Sequence, residues 1–207
     1  MEHHLHAIFK SLQGEGRNTG RPCAFIRYCS CNLSCSWCDT HKNETMVLNT
    51  SQVLEKVRAL GQNSVIITGG EPTIQPGLED LVRSLKAAGM WVALETNGVV
   101  APRCLDLFDY VAVSPKPDFV AHYKENLMLH RANEMRIVAV TDEIAPFCRQ
   151  MRERIQADDY YISPLEKDER MHYRRALTLL TRVNTLMGNP NPPWSLSIQM
   201  HKVLGLR

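Results

Sequence analysis

Short apolar runs rich in β-branched residues recur along the chain, separated by stretches whose hydrophobic residues keep helical spacing. "CAFIRY" (23–28), "SVIITGG" (64–70), "WVALETNG" (91–98), "YVAVSPK" (110–116), "EMRIVAV" (134–140), "YYISPL" (160–165) and "LSIQM" (196–200) read as strands, several of them closed by Gly or Pro. Val53, Leu54, Val57 and Leu60 predict a helix capped by Ser51 and ended at Gly61. Leu78, Leu81, Val82 and Leu85 fall on one face of a second helix over 78–89, and further helices are predicted at 142–156 and 168–187. "NPNPPW" (189–194) reads as a rigid loop.

Strands alternating with helices imply a mostly parallel sheet with helices packed outside it. A complete eight-unit barrel needs roughly 250 residues, more than the 207 present. The expected fold is therefore α/β, a partial TIM-like barrel of about six mostly parallel strands in one domain over 1–207. Sites in such sheets lie at the C-terminal ends of the strands. "TGGEP", "ETNG", "SPK" and "ISPL" each follow an apolar strand and so fall there.

The net charge of +2 and the scattered Lys and Arg give no nucleic-acid footprint. No apolar run approaches a membrane span, and "MEHHLHAIFKSLQGEG" lacks the pattern of a secretory signal. A cytoplasmic protein is expected. Seven cysteines, an odd count, do not suggest a disulfide framework in a reducing compartment. Clustered thiols there more often serve metal or catalysis.

Cys31, Cys35 and Cys38 form such a cluster, C-x3-C-x2-C. With His41 they could assemble a four-ligand zinc site, though crowded into eleven residues. The alternative is a [4Fe–4S] cluster held by three thiolates. Such clusters usually take four cysteines, and a missing ligand leaves one iron open to a small molecule.

The triad after a strand, with Trp37 just before its third cysteine, resembles the signature of radical S-adenosylmethionine (SAM) enzymes. "TGGEP" (68–72) is similar to that family's GGE motif. The resemblance implies a radical SAM core, a [4Fe–4S] cluster on the three cysteines, and SAM on its open iron. Electron transfer from the cluster cleaves SAM to a radical that abstracts hydrogen from substrate. Gly69 and Gly70 would let backbone approach the methionine end of SAM, and Glu71 would meet its ammonium.

A narrower resemblance, to the 7-carboxy-7-deazaguanine synthase family, spans nearly the whole chain. It rests on "FKSLQGEGRNTGRP" (9–22), "FIRYCSCNLSCSWCDT" (25–40), "ITGGEPTIQ" (67–75), "ETNG" (95–98), "VSPK" (113–116) and "LSIQMHKVLGLR" (196–207). It implies conversion of 6-carboxy-5,6,7,8-tetrahydropterin to 7-carboxy-7-deazaguanine with loss of ammonia, in queuosine and deazapurine biosynthesis. A guanidinium is the natural bidentate partner of the substrate carboxylate, which assigns Arg27. Leu12, Gln13, Gly14 and Glu15 suit the donor-rich edge of the pterin. Thr68 and His201 would reach the substrate, with Arg207 close by. Thr40 would donate its oxygen to a Mg2+ shared with the substrate, an ion that keeps waters and borrows ligands. Trp37, Cys38, Asp39, Gly69, Gly70, Glu71, Glu95, Asn97, Ser114, Pro115, Lys116, Ser163 and Pro164 would surround SAM. Glu95 lies in an apolar strand and needs a partner; SAM is the candidate. The resemblance further implies a homodimer and an electron donor such as flavodoxin or ferredoxin, with no nucleic acid and no membrane.

Departures from the family pattern fall at Ser30, where Gly is common, and at Ser163, where Gln is common. Cys29 reads as a strand-end residue rather than a fourth ligand, and Cys23, Cys104 and Cys148 as buried apolar residues. Two other readings share part of this pattern. A glycyl-radical activating enzyme shares the triad and GGE but has no need of Arg27, QGEG or Thr40. A zinc-stabilised binding module needs only the thiols and His41.

Overall fold

The computed structural model describes residues 1–38, 46–168 and 170–206. The strands and helices are β1 (Glu2–Leu12), β2 (Pro22–Tyr28), β3 (Met46–Asn49), α1 (Thr50–Ala59), β4 (Ser64–Gly69), α2 (Leu78–Ala87), β5 (Trp91–Thr96), β6 (Tyr110–Val113), β7 (Arg131–Val138), α3 (Ile144–Arg154), β8 (Gln156–Ser163), β9 (Glu166–Lys167), β10 (Arg170–Met171), α4 (Tyr173–Leu186), β11 (Trp194–Leu196) and α5 (Met200–Val203). Nine strands form one sheet in the order β11-β8-β7-β6-β5-β4-β2-β1-β3. From β2 to β11 every neighbouring pair is parallel, while β1 runs antiparallel to both β2 and β3. The order runs from one edge to the other without returning, as expected for an unclosed barrel.

The parallel strands other than β11 fall where the apolar runs predicted them. Val65, Ile66 and Ile67 of β4 and Val92 and Leu94 of β5 are wholly buried, as strands covered on both faces must be. Outside the sheet, α1 and α2 pack on one apolar cluster with Val53, Val57, Leu81, Val82 and Leu85. α3 and α4 cover the other half through Ile144, Cys148, Met151, Leu179 and Val183. Inside, Phe9 and Phe25 stack with centroids 5.2 Å apart and pack with Ile66, Ala93 and Ala112 beneath the strand ends. Leu78, Leu81, Val82 and Leu85 are all buried as read, each worth about 1.5–3 kcal/mol.

Four local expectations move. The helix α1 is capped by Asn49, not Ser51. The Asn49 side chain accepts from the Gln52 amide at 3.0 Å, and the Gln52 side chain accepts from the Asn49 amide at 2.9 Å. Ser51 has Leu54 three residues on, which cannot return the second bond. The helix predicted from 168 begins at Tyr173, because Glu166–Lys167 pairs with Arg170–Met171 as the small β9–β10 ribbon. The last strand lies at Trp194–Leu196 rather than 196–200, and Met200 opens a short helix whose amide donates to the Gly14 carbonyl at 2.9 Å. Finally, β1 was not read as a strand. Its buried positions His3, Leu5, Ala7 and Phe9 alternate with more exposed ones, and a bulge between Leu5 and Ala7 turns Leu5 to the cluster under α1 and α2 and Ala7 and Phe9 to the interior. His3 is tolerated in the core because its ring nitrogens meet Tyr28 Oη at 2.9 Å and Thr50 Oγ1 at 3.0 Å.

The loop between β1 and β2 crosses the open side of the sheet like a strap. Gln13 donates to Glu95 on β5, Arg136 on β7 donates to Glu15, and the Gly16 amide donates to Ser197 Oγ beyond β11. Polar contacts from this loop therefore tie strands that hydrogen-bonded pairing leaves apart.

Candidate active site

One cavity of about 250 Å3 opens at the C-terminal ends of the parallel strands. Leu12, Gln13, Gly14 and Glu15 of the strap line it, with Arg27 of β2, Cys31, Cys35, Trp37 and Cys38 of the following loop, Thr68, Gly69 and Gly70 after β4, Glu95 and Asn97 of the β5 end, Ser114 and Lys116 after β6, Ser163 and Pro164 after β8, and His201 of α5. Most residues singled out from the sequence thus share one space, although they span the chain from 12 to 201. Pro115 and Glu71 do not reach its wall. Asp39, Thr40, His41 and Arg207 lie outside the described residues.

The cysteine loop is held by backbone. The Gly70 amide donates to the Tyr28 carbonyl at 2.9 Å and the Glu71 amide to the Ser30 carbonyl at 2.8 Å. A Cβ on Gly69 would lie 2.3 Å from Tyr28 N, and one on Gly70 would lie 2.0 Å from Ser30 O. The two glycines are thus required by the close passage of the cysteine loop. Asn97 Nδ2 donates to Asn32 Oδ1 at 2.7 Å, binding the same loop to the end of β5. The Leu33 amide donates to Cys31 Sγ at 3.4 Å. Cys29 is turned away, its thiol donating to the His4 carbonyl at 3.3 Å.

Glu71 is 1% exposed and saturated by protein donors. Thr96 Oγ1 and the Asn97 amide donate to it at 2.7 Å each, and Thr73 donates from both its amide and its hydroxyl. Burial nevertheless raises its pKa, with these hydrogen bonds opposing. Glu95 has a protein partner that its sequence context did not name. Arg136 Nη2 meets Glu95 Oε1 at 2.7 Å, Gln13 Nε2 donates to the same oxygen at 2.9 Å, and Thr68 Oγ1 donates to Oε2 at 2.8 Å. Burial pushes Glu95 up, but the charge and hydrogen bonds of Arg136, with Gln13 and Thr68, overcome it and hold the carboxyl at about 2.

Two buried polar atoms on the cavity wall lack partners among the described residues, Arg27 Nε and Ser163 Oγ. Among the described residues no carboxylate forms an ion pair with Arg27; its guanidinium sits 5.3 Å from the centre of the Phe9 ring. Lys116 Nζ donates to Ser114 Oγ at 2.7 Å and lies 5.5 Å from the Trp37 ring centre. Burial lowers the Lys116 pKa, against the charges of Cys35 and Glu15. Orphaned buried donors are costly unless a ligand meets them, so both atoms fit a cavity built to be filled.

The sequence reading missed several wall residues: Phe9, Phe25, Thr96, Val138, Glu166, Gln199, Lys202 and above all Arg136. The signal for Arg136 was present. Glu134 and Arg136, two apart in an apolar strand, must share one face, and an opposite charge, Glu95, stood in another strand.

Among the described residues no group of three or more His, Cys, Asp or Glu could hold a single metal ion. Cys31, Cys35 and Cys38 nevertheless line the same cavity. In a cubane cluster each thiolate takes a different iron, so its ligands stand farther apart than those of one ion. The donor set fits that group. The double-glycine turn, Lys116 and the unmet Ser163 hydroxyl beside it fit a polar ligand such as SAM.

Three thiols and a glycine turn at the mouth of a partial parallel barrel describe a radical SAM enzyme, and residues 25–122 match the family described as the Radical SAM superfamily. The chain is 44% identical over 199 residues to a 7-carboxy-7-deazaguanine synthase of Haemophilus influenzae, covering 96% of this chain and 92% of that one. It is 44% identical over 202 residues to the synthase of Neisseria meningitidis serogroup B, with the same shares. A crystal structure of QueE from Escherichia coli has a TM-score of 0.73 at 26% identity, over 97% of this chain and 95% of that one. The chain belongs to the 7-carboxy-7-deazaguanine synthase family. Its cofactors are those of the radical SAM enzymes, a [4Fe–4S] cluster and SAM. No helix among the described residues is long and apolar enough to cross a membrane.

Proposed function

We propose that this chain converts 6-carboxy-5,6,7,8-tetrahydropterin to 7-carboxy-7-deazaguanine with release of ammonia, as one domain over 1–207. The observation that carries the substrate assignment is Arg27, a cavity guanidinium with a buried Nε and no carboxylate partner among the described residues. A substrate carboxylate supplies that partner in the bidentate geometry guanidinium favours. Glu15 and Glu95 line the same cavity, both drawn toward Arg136. Acceptors there suit the N–H groups of an amino-pyrimidinone ring, so the carboxylate and the ring edge of the substrate select different side chains. Leu12, Gln13, Gly14, Thr68 and His201 line the same cavity and complete the set of groups offered to the substrate.

When bound, the cluster and SAM supply hydrogen abstraction at the substrate carbon and its return. Cys31, Cys35 and Cys38 hold the cluster. Ser114 and Lys116 hold the SAM ribose and carboxylate, and Ser163 and Pro164 face its adenosine. Gly69, Gly70, Asn97 and Trp37 would close around it, with Asp39, Pro115 and Glu71 supporting that shell, while Glu95 is turned to Arg136. Thr40 would give its hydroxyl oxygen to a Mg2+ that the substrate helps to hold, and Arg207 would serve substrate binding. An acidic flavodoxin or ferredoxin delivers the electron. The enzyme is a homodimer of the cytoplasm, a compartment whose reducing conditions suit exposed thiols.

Anaerobic reconstitution with iron and sulfide, then incubation with SAM, dithionite and the carboxypterin, tests the reading through product mass and ammonia. Arg27→Ala should raise the pterin KM about 30-fold or more, since removing one partner of a buried charge pair costs 2–5 kcal/mol. SAM cleavage without substrate should stay unchanged. An Arg27→Ala enzyme with wild-type pterin KM would refute the carboxylate role. Thr40→Val should blunt stimulation by Mg2+.

A further inference from the structure

Arg136 is 5% exposed and holds three carboxylates at once. Nη1 meets Glu15 Oε2 at 2.5 Å, Nη2 meets Glu95 Oε1 at 2.7 Å, and Nε lies 3.0 Å from Glu134 Oε1, near enough for charge though poorly aligned for a hydrogen bond. Glu134 in turn accepts from Tyr110 Oη at 2.8 Å and from the Arg17 amide at 2.9 Å. That carboxylate is anchored below the cavity and fixes the guanidinium plane from behind. Gly16 leaves the space it needs, since a Cβ there would meet Glu134 Oε2 at 2.2 Å. A lysine in this place has one ammonium and no fork, and cannot hold three carboxylates in a fixed plane.

Each carboxylate has a different duty. Glu95 uses both oxygens on Arg136, Gln13 and Thr68. Glu134 does not line the cavity. Glu15 spends Oε2 on Arg136 and leaves Oε1 without a protein partner among the described residues, on the cavity wall. The Glu15 oxygen left over gives the cavity wall an acceptor, which suits a ligand that donates.

We propose that Arg136 is the positioning residue for substrate recognition: it sets the orientation of Glu15, and through Glu95 that of Gln13 and Thr68, toward the pterin's N–H edge. The proposal rests on the reading of this cavity as the pterin site. Arg136 acts through those side chains rather than by touching the reacting carbon. The titratable groups that face Glu95 are Arg136, which also faces Glu15 and Glu134, and the Cys23 thiol, which burial pushes up to about 11. Of these Arg136 alone makes a direct ion pair with Glu95 among the described residues. Without a guanidinium there, burial drives Glu95 upward, and an acid limb enters the pH profile of kcat/KM.

The test compares wild type with Arg136→Lys, reconstituted with cluster. The measurements are iron content, SAM cleavage without substrate, and pterin kcat and KM from pH 5 to 9. The expected result is unchanged iron and SAM cleavage, a pterin KM raised roughly ten- to a hundredfold, the worth of a charged hydrogen bond, and a new acid limb. Glu134→Gln, which loosens the guanidinium from behind and leaves the cavity wall intact, should shift KM in the same direction by less. Should Arg136→Lys not fold, Glu134→Gln alone decides. An unchanged pterin KM and pH profile in a folded, iron-loaded variant overturns the proposal, as does a loss confined to melting temperature. Wild-type enzyme that cleaves SAM but releases no ammonia from the pterin defeats the reading of the site instead.

Discussion

Replacing Gly70 with alanine should disable the cluster site before it touches the substrate site. The Cβ would lie 2.0 Å from Ser30 O and 3.1 Å from Cys31 N, both backbone atoms that no rotamer change can move away. Relief requires separating the turn after β4 from the entry to the cysteine loop. That separation breaks the hydrogen bonds from Gly70 N to Tyr28 O and from Glu71 N to Ser30 O. Each is worth about 1 kcal/mol, and overpacking of a tight contact adds about 1–3 kcal/mol. The expected loss is about 3–5 kcal/mol in the metal-free protein, or roughly 10 °C in Tm for a chain of this size. The direct assay is iron and sulfide per chain after anaerobic reconstitution, beside thermal unfolding of the apoprotein. We expect Gly70→Ala to bind well under half the wild-type iron. Full iron with an unaltered Tm would show that the cysteine loop is not set by this backbone contact.

Gly14→Ala puts its Cβ 1.9 Å from His201 Nδ1, so it should raise the pterin KM several-fold while iron content stays at the wild-type level; lost iron would mean that the strap is coupled to the cluster loop. Cys35→Ala should remove most of the cluster and Cys29→Ala should keep it, because the Cys29 thiol is turned to the His4 carbonyl; cluster loss in Cys29→Ala would overturn the choice of three ligands. Burial holds the His3 pKa below 6.5, so the unfolded chain takes the proton first, and stability should be full above about pH 6.5 and fall as the pH drops below it. His3→Gln, which cannot titrate, should flatten that limb in urea unfolding of the apoprotein, and an equal slope in both proteins would remove His3 as its cause.

Much of the architecture was readable because parallel strands buried on both faces must be continuously apolar. "SVIITGG" and "WVALETNG" have no other stable use in a chain this size, and each ends where its chemistry begins. The alternating pattern of β1 was obscured because a buried position is His3, polar by type and satisfied only by Tyr28 and Thr50. The end of β11 was misplaced for a related reason. Past Ser197 the backbone finds its partner in Gly14, far upstream, and local propensity carries no trace of that contact. Glu71 shows the same limit at the level of function. Its motif placed it near the methionine end of SAM, whereas four protein hydrogen bonds from Thr73, Thr96 and Asn97 hold it behind the wall. Side chains identified by type and spacing alone were brought to the cavity; their distribution between ligand and scaffold depended on partners that only the fold assembles.

The strap between β1 and β2 explains why an unclosed barrel can still present an ordered site. In a closed barrel the interior is fixed by strand pairing around the ring. Here the sheet stops at β11 on one side and β3 on the other, so pairing cannot fix the distance across the opening. The polar bridges do so instead: Gln13 to Glu95, Arg136 to Glu15, and Gly16 to Ser197. Buried ion pairs are a poor source of net stability because desolvation offsets their attraction. They are, however, strongly directional, and breaking one leaves an uncompensated charge. A strap held by such bonds has one acceptable position rather than many. The same residues that set this position, Gln13, Glu15 and Glu95, also line the cavity. Closure of the opening and orientation of the recognition groups are therefore a single structural event, and a substitution that loosens one should loosen the other.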